Sequence, residues 1–299
     1  MEGKVAVVTG AASGIGLEFA TRCAVEYGMH VAMADIDAVE LAREAEQLSA
    51  SAAASGGSAT AVPTDVRLRE DIEHLLSVAQ SLGGEVGAGC VDAALFNAGV
   101  LGAGVNVLKG NEADWWWVLD VNLFGVLHGL QVFTPVVAAQ ARPCLIAATA
   151  STQGLDIGGP PGSTASYATS KHGIMAMMVQ KTPFLRHLIL KWSVYQDRLE
   201  TNIGRVEERM RFSQESLEGE LAFKQLGEQV QLSVLCPGLV ASGIWDVGKS
   251  EAQREPSENR GVQAKETQRR FFESVQRKPF FCAFYTANRI FAKPGSGQT

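Results

Sequence analysis

Short apolar runs alternate with longer stretches of helical periodicity through the first two-thirds of the chain, and that rhythm limits its fold more than any single motif. The runs fall at Lys4 to Thr9, His30 to Asp35, Thr60 to Pro63, Asp92 to Asn97, Cys144 to Thr149 and Gln229 to Cys236. Their Val, Ala, Leu and Ile content suits strands covered on both faces, as in a parallel sheet. Helical patterns occupy about Gly14 to Tyr27, Asp37 to Ala53, Leu68 to Ser81, Glu112 to Ala139 and Ala165 to Val179. Strands that alternate with helices predict an α/β protein. At 299 residues the chain is near the size at which single cores stop growing, so one domain over 1–299 is expected.

Two stretches read as loops: Ser49 to Thr60, built of Ala, Ser and Gly, and the glycine-rich Leu82 to Gly89. Trp115, Trp116 and Trp117 cannot all share one helical face, so at least one should point away from the core. A formal charge of −6 disfavours nucleic acid as a partner. No uninterrupted apolar run reaches the roughly 18 residues of a membrane span, so no membrane partner is expected. The start Met1-Glu2-Gly3-Lys4 leads directly into a strand and predicts a cytoplasmic protein. Five widely spaced cysteines without a Cys-x-x-Cys pair, and five histidines without ligand spacing, signal neither a disulfide framework nor a metal site.

The first strand runs into Thr9-Gly10-Ala11-Ala12-Ser13-Gly14-Ile15-Gly16, three glycines where a strand must turn sharply into a helix. Glycine permits the turn and lets backbone N–H groups approach a pyrophosphate at the helix N-terminus. About 20 residues on, Asp35 ends the second strand, where a carboxylate can hydrogen-bond both ribose hydroxyls of NAD and repel the 2′-phosphate of NADP. Neither Ser13 nor Ile36 offers that phosphate a cation, so NAD is preferred over NADP. The plainer reading makes Asp35 a cap for the helix that begins near Asp37. Tyr167 and Lys171, four apart in Ser166-Tyr-Ala-Thr-Ser-Lys171, share one helical face, and an ammonium there would lower the phenol pKa.

The chain also offers Asn97-Ala98-Gly99 after the fourth strand, Asn122 in Asp120-Val-Asn-Leu-Phe-Gly125, Ser151 in Ser-Thr-Gln-Gly154 and Pro237-Gly238 after the sixth. In this order the set resembles the short-chain dehydrogenase/reductase family from Lys4 to about Trp245. The resemblance implies a doubly wound parallel sheet, the Rossmann fold, with strand order 3-2-1-4-5-6 and NAD at its switch point. It implies Gly10, Ser13, Gly14, Ile15 and Gly16 around the pyrophosphate, and Asp35 with Ile36 at the adenine ribose. Asp65 and Val66 would lie beside adenine, and Asn97, Ala98 and Gly99 along the cofactor cleft. Pro237, Gly238, Val240 and Ser242 would border the nicotinamide. Tyr167 would exchange a proton with an alcohol or ketone during hydride transfer, Ser151 would bond the same oxygen, Lys171 would bind the ribose and tune Tyr167, and Asn122 would hold the helix geometry. A homodimer or tetramer is also implied.

Three departures qualify that picture. Tyr167 lies 16 positions after Ser151, a little more than the family usually has, with Gly158-Gly-Pro-Pro-Gly162 between them. Lys171 and Pro237 lie 66 apart, roughly twice the expected separation. An insertion at about 181–214 accounts for the surplus, with seven Lys or Arg against four acids, a proline at Pro183 and a possible buried stripe Phe184, Leu185, Leu188, Ile189, Trp192. It falls inside the helix that carries Tyr167 and Lys171, which puts oligomerisation in doubt. It also leaves open a catalytically impaired NAD-binding protein or an interaction module. Residues 246–299 form a divergent substrate-loop region and tail, in which Phe280 to Thr286 could add a last strand.

Overall fold

A computed structural model describes residues 1–83, 89–102, 107–108, 110–140, 142–154, 165–179, 230–236 and 283–284. Seven parallel strands form one sheet: β1 Val5–Thr9, β2 His30–Asp35, β3 Ser58–Pro63, β4 Ala93–Phe96, β5 Cys144–Thr149, β6 Val230–Cys236 and β7 Ala283–Phe284. Their order is β3-β2-β1-β4-β5-β6-β7, so the chain winds outward from β1 in both directions as the doubly wound expectation requires. The short β7 pairs with the end of β6 inside the stretch expected to add a last strand.

Alternate residues of β1 feed two cores, one on each face of the sheet. Val5 and Val7 pack with Ile72 and Leu75 of α3 (Arg69–Leu82), Phe133 of α5 (Gly125–Ala139) and Ile174 of α6 (Ala165–Val179). Ala6 and Val8 pack with Phe19 of α1 (Gly14–Thr21) and Leu41 of α2 (Ala38–Ala52). All five β1 residues are buried, which is why the strand reads as an unbroken apolar run. At the opposite edge from the glycine turn, the Asp92 carboxylate accepts from Val5 N at 2.8 Å and pairs with Arg142 at 2.6 Å.

Several boundaries differ from the sequence reading. The expected helix Gly14 to Tyr27 is α1 followed by a π-helical turn, Arg22–Glu26. Ser49 to Thr60 is not a plain loop: α2 continues to Ala52 and β3 begins at Ser58, because alanine favours helix and Gly56 (φ +77°) stops it. The Ser49 hydroxyl accepts from Ala59 N at 2.8 Å and fastens the two elements together.

Glu112–Ala139 is one helical run of 28 residues, α4 (Glu112–Leu119), a π-helical turn (Asp120–Phe124) and α5, long and apolar enough to cross a membrane. The count of uninterrupted apolar residues missed it, because scattered polar residues break the run without making the helix polar. Val126, Val132, Phe133 and Val137 face the core instead, and Phe96 meets the Phe133 ring edge-on at 5.6 Å. Of the three tryptophans, Trp116 is 53% exposed, donating from Nε1 to Glu112 at 3.2 Å, while Trp115 and Trp117 are half-buried.

The Gly158–Gly162 loop, the 181–214 insertion with Pro183 and its apolar stripe, and 246–299 apart from β7 lie outside the described residues.

Candidate active site

The turn after β1 is built by close approach. Gly10 and Gly14 take φ of +67° and +57°, where a Cβ is strained. A Cβ on Gly10 would stand 2.8 Å from Ala98 Cα, and one on Gly16 would stand 2.0 Å from the Gly10 carbonyl oxygen. The backbone there leaves no room for a side chain. Ser13 is the N-cap of α1 yet its side chain makes no capping hydrogen bond, so the helix start presents N–H groups that suit an anion. Ile15 is half-buried behind this turn, against the α1 core. The cradle fits the pyrophosphate of a dinucleotide.

Asp35 is not the cap of α2. That cap is Asp37, whose carboxylate accepts from Glu40 N at 3.1 Å. The Asp35 carboxylate accepts from Ala12 N at 3.0 Å and from Asp37 N at 3.1 Å, tying the tip of β2 to the glycine turn, with Ile36 exposed beside it. Its carbonyl accepts from Thr64 N at 2.9 Å and brings the segment after β3 to the same edge. There Val66 is buried against Gly125, while the Asp65 carboxylate pairs with Arg67 at 2.5 Å. The Arg67 hydrogen bond holds the Asp65 carboxyl below the usual carboxylate range.

Asn97 fastens three strands. Its Nδ2 donates to the carbonyls of Thr9 and Gly10 at 3.2 and 3.4 Å, and its Oδ1 accepts from Thr149 Oγ1 at 3.0 Å. The buried Thr9 hydroxyl accepts in turn from the backbone N–H of Asn97 and of Ala98 at 2.9 and 3.1 Å. Gly99 follows, with space for a Cβ only 3.3 Å from Asn122 Oδ1 and 3.4 Å from Lys171 Nζ.

Asn122 lies in the π-helical turn and is fully buried. Its amide accepts from Val100 N at 2.7 Å and donates to Val100 O at 2.9 Å and to Ser170 Oγ at 3.0 Å. The Ser170 hydroxyl donates onward to the Tyr167 carbonyl at 2.7 Å, so Asn122 holds the backbone of α6 beside Tyr167. The π-helical turn re-aims this one side chain without ending the helix.

Tyr167 and Lys171 share one face of α6, as their spacing requires. Lys171 Nζ lies 5.4 Å from the Tyr167 ring centroid and donates to the Thr149 carbonyl at the tip of β5 at 2.8 Å. Ser151, two residues beyond β5, hydrogen-bonds the phenol. The Tyr167 pKa departs from the sequence expectation. Burial pushes the phenol up to about 12, and the Ser151 hydrogen bond opposes that only partly. The Lys171 ammonium lies over the ring, and the expected lowering does not follow.

Thus Gly10, Gly14, Gly16, Asp35, Asn97, Gly99, Asn122, Ser151, Tyr167 and Lys171 all gather at the carboxyl-terminal edge of the sheet. Pro237, Gly238, Val240 and Ser242 lie outside the described residues. The sequence reading missed Thr9, Thr149 and Ser170 as positioning residues. Each sits inside or beside a quoted motif, but its partner is on another element, so no local spacing marks it.

Residues 4–183 match the profile of the short chain dehydrogenase family. A 1-deoxy-11-beta-hydroxypentalenate dehydrogenase of Streptomyces avermitilis is 34% identical over 177 residues, 59% of this chain and 61% of its own length. A mitochondrial borneol dehydrogenase of Lavandula x intermedia is 35% identical over 182 residues, again 59% of this chain and 61% of its own length. The chain thus spans about three-fifths of these curated relatives. Among solved structures, a short chain dehydrogenase/reductase from Burkholderia phymatum in complex with NAD is 28% identical at a TM-score of 0.66, over 93% of this chain and 88% of its own. An actinorhodin polyketide ketoreductase with NADPH is 22% identical at a TM-score of 0.62, covering 90% of this chain and 89% of its own, and shares the fold.

Proposed function

The chain belongs to the short-chain dehydrogenase family, and from that premise we propose that it interconverts a secondary alcohol and a ketone, with NAD(H) accepting or supplying the hydride. The convergence of Ser151, Tyr167 and Lys171 at the tip of β5, with Asn122 behind them, carries this reading. The Tyr167 phenol delivers a proton to a ketone oxygen, or removes one from an alcohol. Ser151 donates to the same oxygen and stabilises its developing charge. Lys171 holds the cofactor ribose. Asn122 keeps α6 in register through Ser170. NAD is the preferred cofactor because Asp35 sets a carboxylate at the tip of β2 and its neighbour Ile36 offers a 2′-phosphate no cation.

Tyr167→Phe removes the transferable proton while leaving ring, packing and cofactor cradle intact. Turnover in both directions is expected to vanish, with NAD binding by calorimetry unchanged; near-native turnover in this variant would refute the mechanism. Because burial holds the phenol near 12, the active phenolate grows about tenfold per pH unit below that value. Alcohol oxidation by the native chain is therefore expected to climb steadily from about pH 7 to 10. A flat profile breaks the assignment of the proton to Tyr167.

A further inference from the structure

At the tip of β5 one residue is hydrogen-bonded toward both the glycine turn and the catalytic helix. Ile146, Ala148 and Ala150 face the core shared with α3, α5 and α6, while Ala147 faces the core shared with α1 and α2, so Thr149 falls on the α1 side by alternation. There its hydroxyl donates to Asn97 Oδ1 at 3.0 Å, and Asn97 Nδ2 donates on to the carbonyls of Thr9 and Gly10. The Thr149 carbonyl accepts from Lys171 Nζ at 2.8 Å, on the helix that packs against the other face. Strand packing does not call for a hydroxyl here. Leu145 and Ala147, its neighbours on the same face, are apolar, and valine has the same branched shape and suits a strand as well. The carbonyls of Thr9 and Gly10 take the Nδ2 end of Asn97, so Oδ1 calls for a donor, and valine could not supply one.

We propose that Thr149 is a positioning residue that couples the glycine turn to Lys171: its hydroxyl braces the turn through Asn97, and the same bond fixes the carbonyl on which the lysine ammonium is seated. This rests on the reading in which Lys171 holds the cofactor ribose, and deepens it by naming what sets the lysine. A dinucleotide gripped at the turn is then met by a lysine already placed for its nicotinamide ribose. Asn122 supports α6 from the opposite flank, through Val100 and Ser170, so the two flanks do different work.

The test compares NAD with ADP by calorimetry on the full chain, since ADP carries the adenosine and both phosphates but lacks the ribose that Lys171 would hold. Thr149→Val is expected to weaken ADP about threefold, through the turn, and NAD about tenfold or more, through turn and lysine together. Thr149→Ser keeps the hydroxyl and is expected to bind both ligands within about twofold of the native chain. Lys171→Met should weaken NAD while the affinity for ADP stays. Equal losses of NAD and ADP in Thr149→Val would make the residue a brace of the turn alone and overturn the proposal, as would native-like binding of both. So would a Thr149→Ser chain as impaired as Thr149→Val, because shape and not the hydroxyl would then matter. Lys171→Met separates this inference from its premise. If that variant leaves the ratio of NAD to ADP affinity intact, the role of Lys171 at the ribose fails and the proposal goes with it; if the ratio falls in Lys171→Met but not in Thr149→Val, the coupling alone fails.

Discussion

The glycine turn and the catalytic helix meet at the same edge of the sheet, yet they are held there by different means. The turn is fixed first by close approach of backbone: Gly16 lies on the Gly10 carbonyl and Gly10 on Ala98, with the Asn97 amide and the Asp35 carboxylate bonding its backbone from the sides. Helix α6 is fixed by side chains, through Val100, Asn122, Ser170 and the Tyr167 carbonyl on one flank and Lys171 with Thr149 on the other. Volume dictates residue identity in the first region, whereas hydrogen-bonding capacity dictates it in the second. Damage to the turn should therefore remove the cofactor and the fold together. Damage to the relay should impair the chemistry first.

The largest effect expected is that of Gly16→Val. Its Cβ would fall 2.0 Å from a backbone oxygen that has nowhere to go, so the strain is expected to exceed about 3 kcal/mol and NAD binding to be lost. Chemical denaturation and calorimetry together read both. If Gly16→Val kept a native melting curve and NAD affinity, close approach would not be what holds the turn, and the contrast would collapse.

A smaller loss is expected for Asn122→Ala. It strands buried groups at Val100 and Ser170, which should lower stability by about 2 kcal/mol and depress turnover, with NAD affinity near native. Asn122 is fully buried, so solvent does not readily replace the lost partners. An NAD affinity that fell in step with turnover would show the two regions to be one unit.

The same contrast explains what could be read before the fold was seen. Features set by neighbours in sequence were legible: the unbroken apolar β1, the glycines of the turn, and the four-residue spacing of Tyr167 and Lys171. Features set by distant partners were not. Asn97 reaches Thr9 across 88 positions and Asn122 reaches Ser170 across 48, and neither the strand nor the helical period records such pairings. The π-helical turn at Asp120–Phe124 is hidden for a related reason, since one widened turn barely disturbs the apolar period of the run around it. The pKa of Tyr167 was misread because spacing places an ammonium nearby without giving the depth of burial. Ser49 to Ala52 was read both as the end of a helix and as the start of a loop, because alanine and serine suit either, and the helix is what forms, with Ser49 bonded to Ala59.

The smallest effect sharpens the comparison at the junction of β2 and α2, where two carboxylates two residues apart do different work. Asp37 caps α2 through Glu40 N, an exposed contact, and Asp37→Ala is expected to cost about 1 kcal/mol. Asp35 instead binds Ala12 N in the turn, so its replacement by Asn should weaken the hold on NAD more than it weakens the helix. The outcome to seek is a crossed pattern, with Asp37→Ala lowering the melting temperature at unchanged NAD affinity and Asp35→Asn doing the reverse. A matched loss of both properties in both variants would mean that α2 and the turn are held together through one shared carboxylate network, and that the backbone of the turn does not stand by itself.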